Sequence, residues 1–182
     1  MNRQDALDLL YEYTKTESLR KHALAVEAAM RAYARKFGED EEKWAIVGLL
    51  HDFDYEMYSQ VPDHPMKGQE ILAQKGYPEE VRRAIISHVP QMNVPRDSQM
   101  ARTLFACDEL CGFIVAAALV RPNRISDLEA PSVKKKLKDK AFARTVSRED
   151  IYQGIEEMQV DINEHIQFVI NALKSVATEI GV

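Results

Sequence analysis

Apolar residues recur at helical spacing along almost the whole chain, and the apolar–polar alternation of β-strands is nearly absent. Arg3 to Tyr13 reads as a first helix. A second spans about Glu17 to Lys36, with Val26, Ala29, Met30 and Tyr33 on one stripe, and Gly38 stops it. Asp40 is placed to cap a third, whose Trp44, Ala45, Val47, Leu49 and Leu50 run straight into His51-Asp52. Asp63 is expected to cap a fourth helix that Gly76 ends, and Pro78 opens a fifth that closes near His88-Val89-Pro90. Beyond a loop with prolines at 90 and 95, a long apolar helix spans about Ser98 to Val120 and ends at Arg121-Pro122. A short basic helix covers about Ser132 to Lys140. Ser147-Arg148-Glu149-Asp150 resembles a capping box with Asp in the acidic position. It opens one long last helix bearing Ile151, Ile155, Met158, Ile162, Ile166, Val169, Ile170 and Leu173. The pattern predicts an all-α protein of about seven to eight helices, a single domain over residues 1–182, with no linker and no repeat.

Composition narrows the classes without changing that picture. With 46% hydrophobic and 29% charged residues in 182, the chain can bury a core without disulfides or metal. A net charge of −5 argues against a general coat for nucleic-acid polymers. Cys107 and Cys111 are the only cysteines and read as reduced packing residues. The longest uncharged apolar run, Phe113 to Val120, is far short of the ~20 residues that span a bilayer. The opening Met-Asn-Arg-Gln-Asp-Ala has no apolar secretory core. A cytoplasmic protein with no membrane partner is expected; the oligomeric state is not legible.

Four of the five histidines precede position 90, and their placement is informative. His22 shares the stripe of the second helix, His51-Asp52 follows a fully apolar run, and His64 and His88 sit at the start and end of their helices. Asp108 lies in the middle of the long apolar helix, with Leu104, Cys111, Gly112 and Val115 on its face and no Lys or Arg three or four residues away. A carboxylate there needs a cation, hydrogen-bond donors or a proton. Singly, each histidine reads as a satisfied core residue and Asp52 as a turn residue. Together, the six suggest a site of imidazole nitrogen and carboxylate oxygen, which suits Fe, Mn, Zn, Ni or Co. His165, at the edge of the last helix's stripe, reads as a packing or surface residue.

The stretches Gly48-Leu49-Leu50-His51-Asp52, His64-Pro65-Met66-Lys67-Gly68, Ile85-Ile86-Ser87-His88 and Ala106-Cys107-Asp108-Glu109-Leu110, preceded by His22, resemble the HD superfamily of metal-dependent phosphohydrolases. The resemblance covers about residues 20–112, leaving a C-terminal helical extension over about 130–180. It implies that His22, His51, Asp52 and Asp108 bind one divalent metal. His64 and His88 match the two further histidines with which some members bind a second, Asp52 bridging the two. Asp52, His64 and His88 are then the catalytic candidates; with one metal, His64 and His88 would contact phosphate or transfer protons.

The sequence departs from the His-Asp-Ile-Gly-Lys subgroups, because Phe53, Asp54 and Tyr55 follow the pair. The Lys implicated there in leaving-group protonation is missing, which weighs against a cyclic-dinucleotide phosphodiesterase. Asp54 either orients a ligand histidine, holds water, or is a plain polar turn residue. Arg121 to Arg148 carries nine Lys or Arg against three Asp or Glu. Arg121, Arg124 and Lys134 are the candidates there for meeting an anionic substrate, against a solvated basic surface. The implied activity is hydrolysis of a small phosphorylated molecule, nucleotides among the candidates. The alternatives are a di-iron oxygenase of the kind resembling myo-inositol oxygenase, with Tyr55 or Tyr58 near the metals, and a non-catalytic metal-containing ligand sensor.

Overall fold

The computed structural model describes residues 2–182, which form ten α-helices and one 3-10 turn, with no strand among them. They are α1 (Arg3–Tyr13), α2 (Glu17–Phe37), α3 (Glu41–Leu50), α4 (Asp63–Gln74), α5 (Glu79–Ile86), α6 (Gln99–Leu119), α7 (Ala130–Leu137), α8 (Arg148–Met158), α9 (Ile162–Lys174) and α10 (Ala177–Ile180), with the 3-10 turn at Pro90–Met92. The count exceeds the expected seven to eight because the last long helix is two and the short α10 follows it. Gln159 turns left-handed at φ 54°, and its N–H closes α8 on the Glu156 and Ile155 carbonyls. Asp161 then caps α9, accepting from the Asn163 and Glu164 amides. The apolar stripe continues across the break through Ile155, Met158 and Ile162, so periodicity alone hides it.

The start and stop signals act largely as their chemistry dictates. The Asp40 carboxylate accepts from the Lys43 amide at 3.0 Å, and Gly38 takes φ 73° at the end of α2. Asp63 is a correction: it is the first residue of α4 and makes no side-chain cap bond, while Pro62 occupies the cap position. The capping box at α8 is completed differently from its sequence. Ser147 Oγ accepts from the Asp150 amide at 3.1 Å, but the Ser147 N–H donates to Glu109 Oε2 of α6 at 2.9 Å.

The α2–α3 and α6–α8 pairs have the most extensive contacts. Every residue of α3 from Trp44 to Leu50 is buried, which explains why that helix is apolar all round. Glycine makes the closest approaches possible. A Cβ on Gly48 would lie 2.8 Å from the Val26 carbonyl of α2, and one on Gly154 of α8 would lie 2.6 Å from Ala106 Cα of α6. One cluster of buried apolar residues runs from Ala6 to Ile180, so the C-terminal helices share the core of the earlier ones. His165 is buried too: it donates from Nε2 to the Ala106 carbonyl at 3.0 Å and accepts at Nδ1 from the Tyr33 hydroxyl at 2.5 Å.

The loop after His88 is fastened down by Arg96. Its guanidinium makes two 2.6 Å hydrogen bonds to the Glu157 carboxylate of α8, donates to the Ser87 carbonyl at 3.0 Å, and stacks 3.7 Å over Phe105. No helix among the described residues is long and apolar enough to cross a membrane.

Candidate metal centre

Five helices deliver the six side chains. His22 projects from the first turns of α2, and Asp108 projects from the middle of α6. His51 is the C-cap of α3 and Asp52 the next residue. His64 stands at the start of α4 with a non-helical, extended backbone, ψ 126°. His88 lies just past the end of α5. The structure brings all six together in two groups that share Asp52. His22, His51, Asp52 and Asp108 form one, and Asp52, His64 and His88 the other; within each, potential ligand atoms lie within 4.8 Å of one another.

The distances show how the groups meet. His22 Nε2 is 2.9 Å from Asp108 Oδ1, His51 Nε2 is 3.2 Å from the same oxygen, and the two Nε2 atoms are 3.2 Å apart. Asp52 turns Oδ2 to His51 Nε2 at 3.5 Å, and Oδ1 to His64 Nε2 at 3.3 Å and His88 Nε2 at 3.1 Å.

Whether these groups fit a metal can be read from the outer ring nitrogens. His51 donates from Nδ1 to the Gly48 carbonyl at 2.7 Å, and His88 from Nδ1 to the Ile85 carbonyl at 2.5 Å. A carbonyl oxygen only accepts, so in both rings Nδ1 carries the proton and the neutral imidazole presents a bare Nε2 to the cluster. That nitrogen faces carboxylate oxygens and further ring nitrogens, none of which can donate unless protonated. Something positive must lie between them, either added protons or a cation, and the nitrogen–oxygen donor set is that of a divalent transition metal.

Charge perturbations are concentrated at the same place. Burial pushes the His51 imidazole down, but the Asp52 and Asp108 carboxylates outweigh it and raise it to about 10. His64, likewise opposed by burial, is raised to about 9 by Asp52 and Asp54. Burial pushes Asp52 and Asp108 up, yet the adjacent imidazoles hold both well below the usual carboxylate range. A metal ion held there would take over the task those protons perform, and binding it would release them. Next to Asp108, Glu109 is raised to about 7, by burial first and then by the Asp108 charge.

The centre opens on one side. Side-chain exposure is 0% for His51, 6% for His64 and 5% for His88, but 16% for Asp108, 22% for His22 and 25% for Asp52. The Tyr55 ring stands edge-on to His64 with centroids 5.3 Å apart.

The basic candidates make their contacts elsewhere. Arg121 pairs with Asp127 at 2.9 Å, Arg124 donates to the Leu119 carbonyl, and Lys134 donates to Asn163 at the start of α9. Cys107 and Cys111 are buried free thiols pushed up by burial, outside both ligand groups.

Asp54 is buried, with Oδ1 2.9 Å from His64 Nδ1 and Oδ2 accepting from the Gly68 N–H at 2.8 Å. Gly68 was not singled out by sequence reasoning. The available signal was a glycine one helical turn after His64, where any side chain would meet the Asp54 carboxylate.

A family model described as HD domain matches residues 19–112, a span that contains all six side chains and Asp54. No curated protein and no solved structure matches the chain.

Proposed function

Because the chain belongs to the HD domain family, a superfamily of metal-dependent phosphohydrolases, we propose that it hydrolyses a phosphate ester of a small molecule, nucleotides among the candidates. His22, His51, Asp52 and Asp108 hold one divalent transition metal on this reading, and Asp52, His64 and His88 a second. When bound, such ions supply positive charge for the phosphoryl oxygens and acidity for an attacking water.

The chain's own residues set the conditions. With neutral imidazoles the six side chains carry two negative charges, so two divalent ions leave a net positive centre suited to a phosphate dianion. Asp52 can serve both groups because its two oxygens face different histidines. The carbonyls of Gly48 and Ile85 hold the His51 and His88 rings with Nε2 inward, so neither reorients when substrate arrives. If only one ion binds, His64 or His88 is placed to carry a proton to the leaving oxygen. Arg121, Arg124 and Lys134 belong to the basic surface and act on an anion through the long-range field.

The observation that carries the proposal is the position of Asp52, shared by both ligand groups and a quarter exposed. Structural metal sites are closed by protein, whereas catalytic ones keep a face for substrate. That favours an enzyme over a ligand sensor with a structural metal.

The test is elemental analysis of the purified protein and its His51→Ala variant, followed by phosphate release from a panel of phosphate esters and nucleotides. One or two ions per chain, strong loss of metal in the variant and metal-dependent phosphate release are expected. A wild-type protein that takes up no transition metal overturns the proposal. Oxygen consumption by iron-loaded protein, with no phosphate release, would move it to the di-iron oxygenase class.

A further inference from the structure

The three inward-facing histidines with fixed outer nitrogens are not fixed alike. His51 and His88 lean on backbone carbonyls, which no substitution of side chains removes. His64 leans on a side chain, Asp54, held in turn by one backbone amide of Gly68. The geometry points to Asp54 as a positioning residue that sets how tightly the ion held by Asp52, His64 and His88 binds, leaving the ion at His22, His51, Asp52 and Asp108 in place. This rests on the two-ion reading above.

The argument is one of donors and acceptors. Oδ2 of Asp54 receives the Gly68 N–H, so that side of the carboxyl group must be an acceptor. Oδ1 faces His64 Nδ1 and, as a carboxylate oxygen, draws the ring proton to Nδ1. His64 Nε2, 3.3 Å from Asp52, is then the free lone pair. A carboxylate partner also makes that nitrogen more basic than a carbonyl partner would. Among the described residues nothing else holds the Asp54 carboxylate there: it is buried, and these are its side chain's only hydrogen bonds.

Asp54→Asn changes one atom and reverses the logic. With the amide oxygen kept on the Gly68 N–H, the NH2 group faces His64 Nδ1 and can only donate, which moves the ring proton to Nε2, where it blocks the metal. Gly68→Ala reaches the same carboxylate from the other side, since a Cβ would sit 2.8 Å from Asp54 Cγ and Oδ2.

The experiment is a Zn(II) titration of wild type, Asp54→Asn and Gly68→Ala by calorimetry, with stoichiometry by native mass spectrometry. Ring 15N–1H correlation spectra of the zinc-loaded proteins report which histidine nitrogen carries a proton. Wild type is expected to bind two ions. Each variant should keep one at unchanged affinity and weaken the other roughly 10–100-fold, with the His64 ring losing its Nε2-coordinated, Nδ1-protonated signature and the His51 ring unchanged. If both ions bind both variants as in wild type, or if both sites weaken equally, Asp54 does not position His64 and the inference falls. A wild-type protein saturating at one ion removes the two-ion reading itself, a result visible before either variant is measured.

Discussion

His165 illustrates how a single buried ring makes stability depend on pH. Burial holds its imidazole down to about 4, and its two hydrogen bonds suit the neutral form with the proton on Nε2. As pH falls, the unfolded chain takes up the proton near the ordinary value of about 6.5 while the folded chain refuses it until about 4. The stability this residue contributes is therefore present above 6.5 and lost across that window, on the order of 3 kcal/mol. Urea denaturation at pH 7 and pH 4.5 should show a smaller acid loss in His165→Gln than in wild type; equal losses would assign the acid sensitivity elsewhere. Gly48 makes a steric prediction. A methyl group there meets backbone of α2, not the end of a flexible side chain, so Gly48→Ala should cost about 1–3 kcal/mol or more. Thermal unfolding would register it as a drop of about 2–4 °C per kcal/mol.

Among the elements, those announced by backbone chemistry were the ones sequence could place. α1, the capped start of α3 and the left-handed stop of α2 follow from Asp40, Gly38 and uninterrupted apolar spacing, and they appear where that chemistry puts them. The break at Gln159 was not legible because the stripe runs through it, and Asp161 looks like any surface acid until its cap bonds are seen. For the centre, the six side chains could be grouped because buried helix ends and an apolar helix face are poor places for titratable groups. Their partition into two groups, and the choice between orienting and turn roles for Asp54, depend on loop geometry at His64 that carries no periodic signal. Ser147 shows the same limit: the cap was readable, but its amide partner comes from α6, far away in sequence. The Arg96 fastening is likewise long-range, and Arg96→Ala should lower stability by about 2 kcal/mol, since it leaves the Glu157 carboxylate with only the Gln153 amide and no cation. Hydrogen exchange at the Val89 and Asn93 amides should accelerate with it; protection as in wild type would show that the loop holds itself.

At the scale of the whole molecule, the centre ties together helices from both halves of the matched span, α2 and α3 with α4, α5 and α6. An ion bound there is bound by the folded chain only, so it should raise the unfolding temperature by mass action. At a free concentration 100 times the dissociation constant the gain is about 2.7 kcal/mol, or roughly 5–10 °C for a protein of this size. Scanning calorimetry with and without Mn(II) or Zn(II) should show that rise in wild type and little of it in His51→Ala. The fastening of the Pro90–Asp97 segment bears on the proposed reaction. Arg96 pins it to α8, Ser87 and Phe105. On the hydrolase reading proposed above, this segment offers no opening step for thickened solvent to slow, so turnover should be indifferent to added sucrose or glycerol, and a rate that falls with viscosity would show that it moves.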